Sequence, residues 1–129
     1  MGNFDIDFKS SNDCIKVRTE EIENGVELFF SGAIDDKNPE EYLSPFFSEI
    51  NNRMINLNSA RLDLNLKDLT FLNSSGIKCF VQLVTYMMKI PQEKRYRLTM
   101  KIDTYSQWQN TSFSLLKTVS KDYIVIEKI

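Results

Sequence analysis

The chain has 129 residues, 42% hydrophobic and 26% charged, a formal net charge of −2 and no histidine. That length and composition fit one globular domain able to bury about two thirds of the surface its unfolded chain exposes. They exclude a global basic field for nucleic acid, and no apolar run approaches the roughly twenty residues of a membrane span.

Residues 1–12 are polar and mixed and read as a loosely held arm. The start lacks the basic stretch and apolar core of a signal peptide, and Ile6 stands where a myristoylation motif has Ser or Thr. Cys14 and Cys79 are too few and too far apart for a disulfide framework or a structural zinc site. A reducing cytoplasm is the expected location.

Over residues 14–17 apolar and polar positions alternate, as in a half-buried strand. Asn24-Gly25 predicts a hairpin turn, because both residues tolerate positive φ. "VELFFSGAI" predicts a second strand with Gly32 near its end. In "DDKNPEEYLSPFFSEINNRMI", Asn38 is a helix cap, Pro39 the first helical residue, and Glu40 and Glu41 face the positive end of the dipole. Tyr42 or Leu43, Phe46, Phe47, Ile50 and Met54 form the apolar stripe. Pro45 inside that run either kinks the helix or moves its start later.

"ARLDLNLKDLTFL" places Leu62, Leu64 and Leu66 on one face of a third strand. Asn73 opens a second helix with Ile77, Phe80, Val81, Val84 and Met88 on one side, and Pro91 closes it. Met87 and Met88 fill the core or its edge. "RYRLTMKI" is a fourth strand through Tyr96, Leu98, Met100 and Ile102. Lys94, Arg95, Arg97 and Lys101 form a local basic cluster, read as a solvated strand edge in preference to a phosphate-binding patch. "SQWQNTSFSLLKTVS" is a third helix with Trp108 packed in the core or at its rim, and "DYIVIEKI" is a last strand. The order β-β-α-β-α-β-α-β specifies an α/β fold: a mixed, largely parallel sheet of about five strands covered by three amphipathic helices. An exposed edge strand permits weak homodimers.

One stretch, "FLNSSGIKCF", places two serines at the carboxyl end of the third strand and the amino end of the second helix, where open α/β sheets usually carry their sites. Three readings apply. Asn73 and the serines can simply cap the helix while Gly76 permits close packing. A serine nucleophile needs an adjacent base, and with no histidine only Lys78, four residues on, remains for Ser74 or Ser75, in no known motif. A kinase can instead phosphorylate a serine there, because the dipole accommodates a dianion that then repels a docking partner.

The run "LDLNLKDLTFLNSSGIKCFVQLV" resembles the signature of STAS domains of the anti-sigma factor antagonist type. In that family the first Ser or Thr after an acidic residue, in a "DSSG"-like run, is the phosphorylation site, and Ser74 occupies that position. Upstream, "FFSGAIDD" is similar to the family's "GELD" segment and places Gly32 and Asp35 on the loop beside the serine. The chain departs from the pattern with Asn73 in place of Asp and Ala33 in place of Glu. "SQWQNTSFSLL" resembles a branch with a Trp-Gln pair before its third helix.

The resemblance implies partner switching in a bacterial cytoplasm. The unphosphorylated domain would bind an anti-sigma factor or an ATPase-type serine kinase around Ser74, be released on phosphorylation, and be reset by a metal-dependent serine phosphatase. Such a domain is a substrate and a binding module, not an enzyme, and needs no cofactor of its own. Ser75 is the alternative acceptor; Asp35, Asn73, Gly76, Lys78 and Gln82 are the expected partner contacts, with Tyr86 beyond them on the helix. A competing reading is a module that senses a small ligand, such as a nucleotide or lipid, near the same helix start.

Overall fold

The computed structural model describes residues 8, 10, 13–56 and 61–129. Five strands form one sheet in the order β1 (Ile15–Ile22), β2 (Gly25–Ile34), β3 (Arg61–Leu72), β4 (Arg97–Ile102), β5 (Val125–Lys128). Only β1 and β2 pair antiparallel; the other three pairings are parallel. Helices α1 (Glu40–Asn56), α2 (Ser74–Met88) and α3 (Gln107–Val119) make the three crossovers, and a short 3-10 turn, Gln92–Lys94, precedes β4. The predicted α/β architecture and element order are those of the structure.

Strand order follows chain order, so each crossover steps to the next strand and right-handedness puts all three helices on one face. Their rings confirm the single layer. Phe47 of α1, Phe80 of α2 and Phe113 of α3 stack in a row, with centroids 5.0 Å and 5.5 Å apart, over Phe30 of β2. Leu28, Leu62, Leu64, Leu66, Leu98 and Met100 complete a buried core beneath them. The alternation that turns these side chains toward the helices turns Glu27, Asp63, Thr99 and Lys101 to the helix-free face. There Lys101 Nζ lies 3.2 Å from both Glu27 Oε1 and Asp63 Oδ2. Arg61 grips both oxygens of the fully buried Asp63 at 2.8 Å.

Several local expectations need correction. The hairpin turn is Glu23-Asn24, one residue earlier than predicted, with Asn24 at φ 64°. Gly25 already pairs with Ile22, and its job is close approach: a Cβ there would meet the Arg61 carbonyl oxygen at 1.9 Å. Helix α1 runs unbroken through Pro45, whose ring and the Glu41 carbonyl it deprives of a donor both lie on the exposed face. On α2 the buried stripe is Cys79, Phe80, Leu83, Val84 and Met87, with Ile77, Val81 and Met88 at its margins, because α1 and α3 flank both sides of this central helix. The basic cluster is not a strand edge, since β4 lies between β3 and β5.

Most of the stretch read as a loose arm lies outside the described residues. Phe8 within it packs edge-on against Tyr42 and Phe46 of α1, at 5.7 Å and 5.0 Å.

Candidate functional site

Strand β3 is twelve residues long and outruns β4, whose pairing with it ends at Asn65. Two register shifts against β2 insert extra residues into β3 and carry it to the start of α2. The protruding end is held by Gln109, buried on α3. Its Nε2 donates to the carbonyls of Leu66 (2.7 Å) and Leu69 (2.8 Å), and its Oε1 accepts from the Asp103 amide (2.8 Å). One amide side chain thus satisfies three backbone groups that no neighbouring strand reaches.

At the tip, Asn73 joins two segments. Its amide N–H donates to the Ile34 carbonyl at 3.0 Å, and its Nδ2 donates to the Asp36 carbonyl at 2.8 Å. Its Oδ1 accepts from the Gly76 amide at 2.8 Å, capping α2. The loop after β2, which carries Asp35, is thereby tied to the first turn of α2. Gly76 is buried there because a Cβ would lie 2.4 Å from Leu72 Cδ1 and 3.0 Å from Ile34 Cγ2.

Ser74 is the first residue of α2. Its side chain is exposed, and among the described residues its hydroxyl has no protein partner. The amides of Ser74 and Ser75 have no intrahelical acceptor by position, and the first turn contains no acidic residue to offset the positive end of the dipole. Asp35 is exposed on the adjoining loop, and Phe71 (50% exposed) and Tyr105 (93%) flank the same end of the sheet. An accessible hydroxyl therefore stands on an electropositive helix start, at the end of the sheet that also carries two solvent-facing aromatics.

Ser75, Lys78 and Gln82 belong to a second feature, a groove of about 650 Å³ between α1 and α2 that Glu40, Ser44 and Cys79 also line. Lys78 is exposed, as expected of a contact residue. Gln82 is half-buried and occupied within the chain: Ser44 Oγ donates to its Oε1 at 3.1 Å, and its Nε2 donates to Tyr86 Oη at 2.9 Å. The Cys79 thiol sits one turn below, 3.5 Å from the Ser75 carbonyl. Burial pushes its pKa up, more than its hydrogen bond with Ser44 pulls it down.

The expected residues thus divide. Asn73, Ser74 and Gly76 form the helix start beside the Asp35 loop, whereas Ser75, Lys78 and Gln82 face the groove. Sequence reasoning missed Asp36, whose backbone anchors the site, and Gln109, for which the Trp-Gln pair was the only signal. Trp108 is half-buried against the core and lies 6.3 Å from Phe113. Among the described residues no group of three or more His, Cys, Asp or Glu side chains could hold a metal, and no helix is long and apolar enough to cross a membrane.

By sequence the chain matches no family profile and no curated protein. By backbone it is similar to the crystal structure of an anti-sigma factor antagonist from Mycobacterium paratuberculosis, with a TM-score of 0.60 and 16% identity over 94% of this chain and 92% of that one. Along nearly its whole length, the chain has the fold of an anti-sigma factor antagonist.

Proposed function

We propose that residues 1–129 form one STAS-like domain that regulates by partner switching, with Ser74 as the phosphorylated residue. The observation that carries the reading is the exposed, unpartnered Ser74 hydroxyl at the start of a helix whose first turn has no acid. A phosphoserine there adds up to about two negative charges, and the helix end tolerates them. The same charge is costly to a docked partner. Buried in an interface without cationic groups it costs several kcal/mol, and each 1.4 kcal/mol is about tenfold in affinity.

In this reading an anti-sigma factor or ATPase-type serine kinase docks over Ser74, Asn73 and Asp35 while the serine is free. Phe71 and Tyr105 supply the apolar anchors that interface centres use. ATP-dependent phosphorylation releases the partner, and a metal-dependent serine phosphatase restores binding. In this reading the domain is a substrate and binding module and not a catalyst. A bacterial, cytoplasmic protein involved in transcription control follows from this role.

Intact mass after incubation with ATP and native lysate tests the proposal. One added phosphate, lost in Ser74→Ala and kept in Ser75→Ala, is expected, together with capture of an ATPase-type kinase by the unmodified protein. No phosphate on the wild type, or a phosphate that persists in Ser74→Ala, overturns it. The groove beside Ser75 favours a second reading, a module that senses a small ligand. Tight ligand binding without any modification would select that reading.

A further inference from the structure

At the opposite end of β3 from Ser74 lies a cavity of about 610 Å³, lined by Glu23, Asn24, Arg61, Arg95, Arg97 and Tyr123. The hairpin turn between β1 and β2 forms one wall. The entry to β4 forms the other.

Three guanidinium groups converge there, and two are fixed before any ligand arrives. Arg61 spends Nε and Nη2 on the buried Asp63. Arg95 donates Nε to the Ile90 carbonyl (2.8 Å) and Nη2 to the Met88 carbonyl (2.7 Å), at the carboxyl end of α2, with its guanidinium carbon 5.3 Å from the centre of the Tyr123 ring. Each keeps N–H donors beyond those bonds, since a guanidinium carries five. The third, Arg97, is exposed and has no hydrogen bond or ion pair among the described residues.

The register sharpens the point. Arg61 and Arg97 are direct partners on adjacent parallel strands, so two like charges stand side by side on one sheet face. Such a pair opposes strand pairing. Asp63 is taken up by Arg61 and Lys101, which leaves Arg97 without an ion pair among the described residues; Glu23 is the one acid in a lining that holds three arginines. An anion between the two would remove the repulsion and use the free donors.

We infer that this cavity binds the phosphoryl dianion of a small phosphate monoester, of mononucleotide size. Planar guanidinium forks match phosphate oxygens pairwise, which a lysine-lined site would not do. The volume lies within the roughly 300–1,000 Å³ of small-molecule sites, far more than a bare phosphate needs. The site lies roughly 35 Å along β3 from Ser74 and does not rest on the partner-switching reading.

The test is an NMR titration that follows the arginine Nε–H and Asn24 amide resonances with AMP, glycerol 3-phosphate, inorganic phosphate and adenosine. Saturable shifts at Arg61, Arg95, Arg97 and Asn24 are expected with AMP, weaker ones with glycerol 3-phosphate and inorganic phosphate, and none with adenosine. Arg97→Gln should weaken AMP about tenfold without lowering the unfolding midpoint of the free protein, since it also removes the like-charge repulsion with Arg61. Absence of saturation with AMP overturns the inference. So does AMP binding that Arg97→Gln leaves intact, which marks a nonspecific anion effect, or inorganic phosphate binding as tightly as AMP.

Discussion

Asn73 Nδ2 donates to the carbonyl oxygen of Asp36 at 2.8 Å while the same side chain caps α2. An aspartate, the residue the family pattern carries at this position, could keep the cap but could not donate to a carbonyl. The departure from the pattern therefore has a structural reason: the side chain must be a donor on one end and an acceptor on the other.

Asn73→Asp should accordingly lose the loop contact and keep the cap, at a cost of about 1 kcal/mol. Asn73→Ala loses both and should cost about 2–3 kcal/mol. Urea unfolding of the two variants separates them, and equal losses would show that the Asp36 contact contributes nothing.

Gly76→Ala should destabilise by about 1–3 kcal/mol through overpacking, since the new methyl meets the ends of the Leu72 and Ile34 side chains. Gly32→Ala should be worse. Gly32 has φ +103°, and its Cβ would sit 1.8 Å from a backbone oxygen, that of Cys14, which cannot turn aside. The order of the two thermal midpoints checks the geometry.

Asp63→Ala should cost about 3 kcal/mol, because it removes a buried carboxylate that holds Arg61 and leaves Lys101 with Glu27 alone. A loss under about 1 kcal/mol in chemical denaturation would mean the network behaves like an ordinary surface ion pair.

Alkaline pH should unfold the protein progressively. Burial, with a smaller contribution from Tyr123, raises the Tyr96 pKa above its ordinary value of 10.0, and the phenol donates to Asn51 Oδ1 at 2.7 Å. Burial would lower the Lys101 pKa, but its bonds to Glu27 and Asp63 outweigh that and raise it above 10.5. In both cases the folded state holds its proton where the unfolded chain releases it. Their contribution is thus complete below about pH 10 and declines as pH rises past it. Denaturation midpoints across that range, with Tyr96→Phe flattening the slope, are the measurement.

The two cysteines should differ in reactivity. Cys14 is exposed, while Cys79 is buried with a raised pKa. A thiol reagent should modify one site rapidly and the second only on unfolding.

Much of the architecture was legible because the strands alternate with period two and the helices carry caps and stripes that polymer geometry reads directly. Asn73, Ser74 and Gly76 were legible for the same local reason: they start a helix. What escaped was set by distant partners. Nothing in the neighbourhood of Gln109 shows that it reaches back some forty residues to Leu66 and Leu69. Gln82 looked free because its bond to Ser44 crosses to another helix. The arginines looked like a strand edge because the pairing of Arg97 with Arg61 depends on strand order, which periodicity does not encode.

That strand order has one more consequence. Because it never doubles back, the sheet lacks the topological switch point at which open α/β sheets form a crevice, and Ser74 is exposed at its carboxyl end. On the proposed role, the enzyme that phosphorylates Ser74 would bring the recess itself, and selectivity for this hydroxyl would be written in the shape of the visitor.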